Sequence, residues 1–310
     1  MIKNYDKQLY SFTIQHSQFT IIRVMQTFFN LIFILLSACR IPDNQINKKE
    51  NNNPEKIISK IDTTNTKDTI SQKVFKIRDL MKQIALSYKK NQKLTSLKSL
   101  KERAILGQDS IKIVCFGNSI TYGFWVGTAS QATLQVAKQV DKPYPQELAV
   151  MFGLKYPKIL LEVVNEGHNG WRSDQALTNF DNLISPKKPH LLILKFGIND
   201  AYSGFTQAML KKNLTEIIKK AKKEKILVLL LTPTPTNTPQ NAIIAGYVPI
   251  IKAVAKEQKV YFLDTHQAII NKMKEKKLSL AQILPDKVHF DSQYYEWIAE
   301  AVFDFIEKND

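Results

Sequence analysis

Residues 111–123 read IKIVCFGNSITYG. An apolar run with strand character ends in Gly117-Asn118-Ser119, and a lone hydroxyl stands where the run stops. Gly, Asn and Ser are common turn residues. The stretch therefore fits either a plain turn or a nucleophile held at the carboxyl end of a buried strand, and the residues around it decide between them.

Outward from this stretch, strand and helix patterns alternate. Further strand candidates are ILLEVVN (159–165), HLLILKFG (190–197), ILVLLLTP (226–233) and VYFLDT (260–265). Helices are expected over 144–153, 173–184, 205–224, 240–258 and 292–308, with a kink or break at Pro249. Near-continuous apolar strands separated by helices imply a parallel sheet covered on both faces, a three-layer α/β/α doubly wound domain. In such sheets ligands sit outside the carboxyl ends of the strands. The polar residues obey that rule. Gly117-Asn118-Ser119 follows the first strand, the run from Asn165 to Gly170 follows the second, and Gly197-Ile198-Asn199-Asp200 follows the third. Asp286-Lys287-Val288-His289 stands in a late loop before the last helix.

Composition narrows the function. The chain has 310 residues, 44% of them hydrophobic, enough for one sizeable core plus extra segments. The net charge is +16, but it is uneven: residues 1–110 hold 19 Lys/Arg against 9 Asp/Glu, residues 111–310 hold 25 against 19. The later part has one arginine, Arg172, and its lysines fall in solvated helix patterns. Arginine is the preferred reader of bases and phosphates, so a nucleic-acid partner is not expected. The two cysteines, Cys39 and Cys115, make no disulfide framework, and no His or Cys pair shows the spacing of metal ligands.

The amino-terminal region has its own pattern. FFNLIFILLSA (28–38) is apolar but shorter than the ~20 residues a spanning helix needs, and it fits the hydrophobic region of a signal peptide. Leu36-Ser37-Ala38-Cys39 resembles the bacterial lipobox, which implies cleavage before Cys39, lipid attachment to it, and an exported protein anchored to the cell envelope. An uncleaved signal anchor or a chance apolar patch is the alternative, and Met25 competes with Met1 as the start. On this reading residues 1–38 are the signal peptide, 39–71 a disordered tether, 72–108 a helical extension and 109–310 the globular domain. The extension carries two helical patterns that either pack on the domain or lie on a membrane surface.

The four loop blocks together resemble the SGNH superfamily, also called GDSL hydrolases. Gly117-Asn118-Ser119 stands for its Gly-Asp-Ser block, with Asn118 in place of the aspartate. Gly170 stands for its second-block glycine. Gly197-Ile198-Asn199-Asp200 and Asp286-Lys287-Val288-His289 match Gly-x-Asn-Asp and Asp-x-x-His. The resemblance implies a five-stranded parallel sheet in a flavodoxin-like arrangement, ester hydrolysis through an acyl-enzyme, and no cofactor or metal. It makes Ser119 the nucleophile, His289 its base and Asp286 the orienter of the imidazole. It assigns the oxyanion hole to the backbone N–H groups of Ser119 and Gly170 and the side-chain amide of Asn199. Gly170 is expected to allow close approach because it lacks a side chain.

For the substrate, Asn118, Tyr122, Trp125, Trp171 and Arg172 lie just beyond or within these blocks. The aromatic rings fit either sugar stacking or core and lid packing. Arg172 fits either a substrate carboxylate or a salt bridge to Asp174 or Asp200. The insertion 123–145 is long for a strand-to-helix connection and is a candidate pocket wall. The first expectation is an esterase that deacetylates a carbohydrate or cell-envelope glycan. A lipase, lysophospholipase or thioesterase of the same superfamily is the alternative, and a non-catalytic surface binding lipoprotein is the alternative from another class.

Overall fold

The computed structural model of the chain describes residues 94–106, 110–126 and 138–309, together with Asp79. The chain divides into two compact units, Met1–Val74 and Phe75–Asp310, and every described residue belongs to the second. The expected signal peptide, the tether with Cys39, all but Asp79 of the first extension helix, and residues 127–137 of the insertion lie outside the described residues.

In chain order the strands are β1 (Ser110–Gly117), β2 (Phe124–Trp125), β3 (Lys138–Gln139), β4 (Leu160–Gly167), β5 (Leu191–Lys195), β6 (Leu227–Leu231) and β7 (Tyr261–Leu263). Strands β2 and β3 pair as a short antiparallel ribbon. The other five form one parallel sheet of order β4-β1-β5-β6-β7. The helices are α1 (Leu97–Leu106), α2 (Ser119–Tyr122), α3 (Tyr144–Lys155), α4 (Ser173–Leu183), α5 (Ile198–Tyr202), α6 (Gln207–Lys223), α7 (Asn241–Gln258), α8 (Thr265–Lys276), α9 (Leu280–Ile283) and α10 (Glu296–Lys308). Helices α4, α6 and α7 pack together in one layer, and α3, α8 and α10 in the other.

Burial explains the patterning. All five residues of β5, in the middle of the sheet, are buried, whereas β4 at the edge is half-exposed. Fully burying each such Leu or Ile is worth ~1.5–3 kcal/mol. Helix α6 buries Leu210, Leu214, Ile217, Ile218 and Ala221 on one face and turns its lysines to water. Helix α1 buries Leu97, Leu100 and Ala104 in the same core, and the Tyr261 hydroxyl accepts from the Leu97 N–H at 3.1 Å. The second helical pattern of the extension thus packs on the sheet domain.

One alternative is decided and one element was missed. No break occurs at Pro249: α7 runs through it. Pro249 is exposed, and so is Ala245 one turn earlier, so the carbonyl that loses its partner faces water. Helix α8 was not expected, since residues 260–265 read as strand to the end. Asp264 instead stops β7 and caps α8, its carboxylate accepting from the Gln267 N–H at 3.0 Å.

The strand order positions the site. From β1 the chain crosses to β4 on one side and returns to β5 on the other. The carboxyl ends of β1, β4 and β5 therefore face one crevice at the switch point of the sheet.

Candidate active site

Ser119 opens α2 immediately after β1, with Asn118 as the cap: its side-chain oxygen accepts from the Ile120 N–H at 3.0 Å. The turn needs Gly117, because a Cβ there would sit 2.0 Å from the Thr121 hydroxyl. As the first residue of a helix, Ser119 has a backbone N–H with no intrahelical acceptor. Its side chain is aimed at His289 from 170 residues further along: Ser119 Oγ lies 2.8 Å from His289 Nε2.

The opposite imidazole nitrogen, Nδ1, lies 2.6 Å from Asp286 Oδ2. The other carboxylate oxygen, Oδ1, accepts from the Val288 N–H at 3.0 Å and the His289 N–H at 2.7 Å. Lys287 makes this turn in the left-handed region, at φ 72°. Burial pushes the Asp286 carboxyl toward its neutral form. The hydrogen bond and charge of His289, with the two backbone donors, outweigh it and hold the pKa below the ordinary carboxylate value. The Phe124 ring lies 4.6 Å from the imidazole. Ribbon β2 is tied over this loop by the Tyr295 hydroxyl on the Phe124 carbonyl, at 2.6 Å, and by Trp125 Nε1 on Asp291, at 3.1 Å.

A cavity of about 250 Å³ opens beside the serine. Asn169, Gly170 and Asn199 join Ser119 and His289 on its polar side, and Phe124, Ile198, Tyr202 and Val288 line the remainder. The Asn199 amide donates one hydrogen to the Trp171 carbonyl at 2.9 Å, which orients the group and leaves its second N–H for the cavity.

A Cβ at Gly170 would meet no protein atom within 4 Å, and the φ of +76° there favours glycine on its own account. At Gly167 the backbone itself approaches closely: a Cβ would lie 2.0 Å from the Tyr122 nitrogen.

None of the five residues singled out for the substrate lines the cavity. Asn118 is buried and spends its amide oxygen on the helix cap. Tyr122 turns its carbonyl to Asn165 and Gln139. Trp125 holds Asp291, and Trp171 stacks on His168 at 4.0 Å. His168, a neighbour by sequence, bonds Glu166 at 3.1 Å and does not reach the cavity either. Arg172 makes a two-pronged pair with Asp174, at 3.1 and 2.9 Å, so the salt-bridge alternative is the one observed. Val288, between the aspartate and the histidine in sequence, lines the cavity. The missed wall residues Ile198 and Val288 each adjoin a block residue, but that adjacency does not say which way a side chain turns. Phe124 comes from the insertion that was a candidate wall.

A parallel sheet with a serine, a histidine and an aspartate in hydrogen-bonded series at its carboxyl edge has the architecture of a serine hydrolase. Residues 115–297, more than half of the chain, match the GDSL-like Lipase/Acylhydrolase family, and the chain belongs to that family. It is 31% identical over 99 residues to Esterase TesA of Pseudomonas aeruginosa, an alignment covering 31% of this chain and 48% of that relative, about half its length. Among solved structures it resembles Axe2, an acetylxylan esterase from Geobacillus stearothermophilus, with a TM-score of 0.54 and 20% identity over 63% of this chain and 94% of that one. It also resembles LAE5, an alpha/beta hydrolase enzyme from the metagenome of Lake Arreo, with a TM-score of 0.54 and 21% identity over 64% of this chain and 95% of that one. At these identities the two likenesses speak for the fold.

Proposed function

We propose that the protein is a serine esterase that removes small acyl groups, acetyl foremost, from a carbohydrate or cell-envelope glycan. The observation that carries the reading is the unbroken series Asp286, His289, Ser119 at the mouth of a cavity that also holds Asn199 and Gly170. Ser119 Oγ attacks the ester carbonyl carbon while its proton passes to His289 Nε2. The carbonyl oxygen becomes negative and is met by the N–H groups of Ser119 and Gly170 and the Asn199 amide. The C–O bond to the alcohol breaks, the alcohol leaves with the proton from His289, and the acyl group stays on Ser119. Water, activated by the same imidazole, then releases the acid and restores the hydroxyl. Asp286 holds the imidazole tautomer with Nε2 free to take the proton.

Cavity size and fold likeness support the acyl and sugar preferences. A volume of about 250 Å³ suits a short acyl group with part of its alcohol better than a long alkyl chain. Axe2, with the similar fold, is an acetylxylan esterase, and its serine, aspartate and histidine alanine variants, the histidine three positions after the aspartate, are described as catalytic mutants. The same spacing separates Asp286 from His289. Tyr202, at the cavity and 43% exposed, offers an aromatic face to a sugar ring.

The test is a hydrolysis panel: p-nitrophenyl acetate, octanoate and palmitate, followed by acetylated xylan and acetylated peptidoglycan. The expected result is a kcat/KM for acetate above that for palmitate by at least about 100-fold, a difference of ~2.7 kcal/mol in transition-state binding. A preference for palmitate would replace this reading with the lipase or lysophospholipase one. Failure of a fluorophosphonate to label the protein would leave the non-catalytic binding lipoprotein.

The exported, membrane-anchored location is part of the same proposal. It rests on the Leu36-Ser37-Ala38-Cys39 sequence. A clickable fatty acid fed to expressing bacteria is expected to label wild type and not Cys39→Ala; equal labelling of both ends the idea.

A further inference from the structure

Two of the three proposed oxyanion donors come from loops that follow strands not paired with each other. Gly170 follows β4 and Asn199 follows β5, and in the strand order β1 lies between these two and pairs with both. The ladders fix the strand ends, and no ladder hydrogen bond joins the two loops directly. A buried set of side chains spans the gap between them.

Asp200, directly after Asn199, is fully buried. Its carboxylate accepts from the Ser173 backbone N–H, at 3.0 Å to Oδ1 and 3.3 Å to Oδ2, and from the Ser173 hydroxyl. Ser173, three residues after Gly170, is also fully buried and is the first residue of α4. The Asn213 amide, from α6, donates to the same hydroxyl at 2.9 Å. On the far side, the Tyr247 hydroxyl closes on the Phe205 carbonyl, and the Phe205 N–H donates to the Asp200 carbonyl at 2.9 Å. The second loop-to-loop link is the bond from Asn199 to the Trp171 carbonyl.

The chemistry of this link is costly for a mere spacer. No Lys or Arg forms an ion pair with Asp200 among the described residues. An unpaired carboxylate taken out of water costs several kcal/mol. What compensates is the amino terminus of the eleven-residue helix α4, whose free N–H and dipole favour a negative charge, and charge-assisted bonds roughly twice as strong as neutral ones. Burial pushes the Asp200 carboxyl above its ordinary pKa, and the two Ser173 donors oppose that. The result is a stiff strut from the residue after Asn199 to the helix that begins just past Gly170.

We propose that Asp200 is a positioning residue: through Ser173 it sets the separation between the Gly170 N–H and the Asn199 amide, and so the shape of the oxyanion hole. This rests on the esterase reading above. The donors must meet an oxygen whose position differs between ground and transition states by a fraction of an ångström, so a loosened strut reduces turnover and leaves substrate binding nearly intact.

The experiment compares wild type, Asp200→Asn, Asp200→Ala, Ser173→Ala, Asn199→Ala and the double variant Asn199→Ala/Asp200→Ala. Each is assayed on p-nitrophenyl acetate, with rates expressed per site titrated to completion by a fluorophosphonate. Asp200→Ala is expected to lose about 100-fold in kcat with KM within about twofold, the scale of a 1 Å misplacement. Asp200→Asn, which keeps an acceptor for the Ser173 N–H, should recover about tenfold of that loss. Because Asp200 acts partly through Asn199, the double variant should fall well short of the product of the single losses. Should Asp200→Ala fail to fold, Ser173→Ala removes the hydroxyl donor alone and is expected to lose about tenfold in kcat. Wild-type kcat per site in the Asp200 and Ser173 variants, or fully multiplicative losses in the double variant, would overturn the positioning role while the esterase reading stood. An inactive, unlabelled wild type would instead remove both.

Discussion

Ser119→Ala is expected to lower kcat on p-nitrophenyl acetate by on the order of 10⁶, with the fold unchanged by circular dichroism and melting temperature. The size follows from the loss of the proposed nucleophile, the atom on which the acyl-enzyme would form. The imidazole and the carboxylate then have nothing to activate except water, for which the site is not shaped. A residual rate above the uncatalysed one, by about 10³- to 10⁴-fold, should survive from binding and the oxyanion donors. The fold is expected to survive because Ser119 Oγ serves no structural bond: its contact is His289 Nε2, and the helix cap is supplied by Asn118. The check is kcat together with a fluorophosphonate adduct measured by mass. An adduct on the alanine variant, or more than a hundredth of wild-type turnover, would assign the nucleophile elsewhere.

Asp286→Asn is expected to cost about 10⁴ in kcat with little change in KM. The side-chain shape is kept, and an amide oxygen in the Oδ1 place still accepts from the Val288 and His289 N–H groups. The amide nitrogen then faces His289 Nδ1 and can only donate. That selects the tautomer with the hydrogen on Nε2, pointing at Ser119, where it cannot take the serine proton. The pH dependence of stability carries the same signature. The folded pKa of Asp286 lies below its unfolded value, so its stabilising contribution is complete above about pH 4 and is lost as pH falls through the lower folded pKa. The difference in melting temperature between wild type and Asp286→Asn should hold steady at neutral pH and narrow only below about pH 4. A kcat loss under tenfold would remove Asp286 from the series.

The lesson of the sheet is how differently its parts could be read. The apolar runs at 111–117, 190–197 and 226–233 lie within a residue or two of β1, β5 and β6, because a strand covered on both faces is apolar along most of its length. Helix α8 escaped notice because its start depends on a single cap, Asp264, at the end of an apolar run. At Pro249 the break is the alternative not taken: α7 runs through it, with Pro249 and Ala245 both exposed so that the freed carbonyl meets water. Around the site, the aromatic and arginine residues nearest the blocks in sequence were the natural candidates for substrate contact, yet Trp171 is spent on His168, Trp125 on Asp291 and Arg172 on Asp174. The cavity wall is built instead by Phe124, Ile198, Tyr202 and Val288.

What the sequence by itself determined is therefore short-range: where strands run, which polar residues follow them, and the turn that brings Asp286 onto its own histidine three residues later. These depend on hydrogen bonds and periodicities spanning a few residues, and such signals are complete within a short window. Only the tertiary structure decided that Ser119 meets His289 across 170 residues, that Asp200 braces Ser173 across 27, and which face each aromatic ring presents. Those outcomes depend on strand order and on side chains competing for the same partners, and that competition is resolved only when the whole sheet has closed its loops.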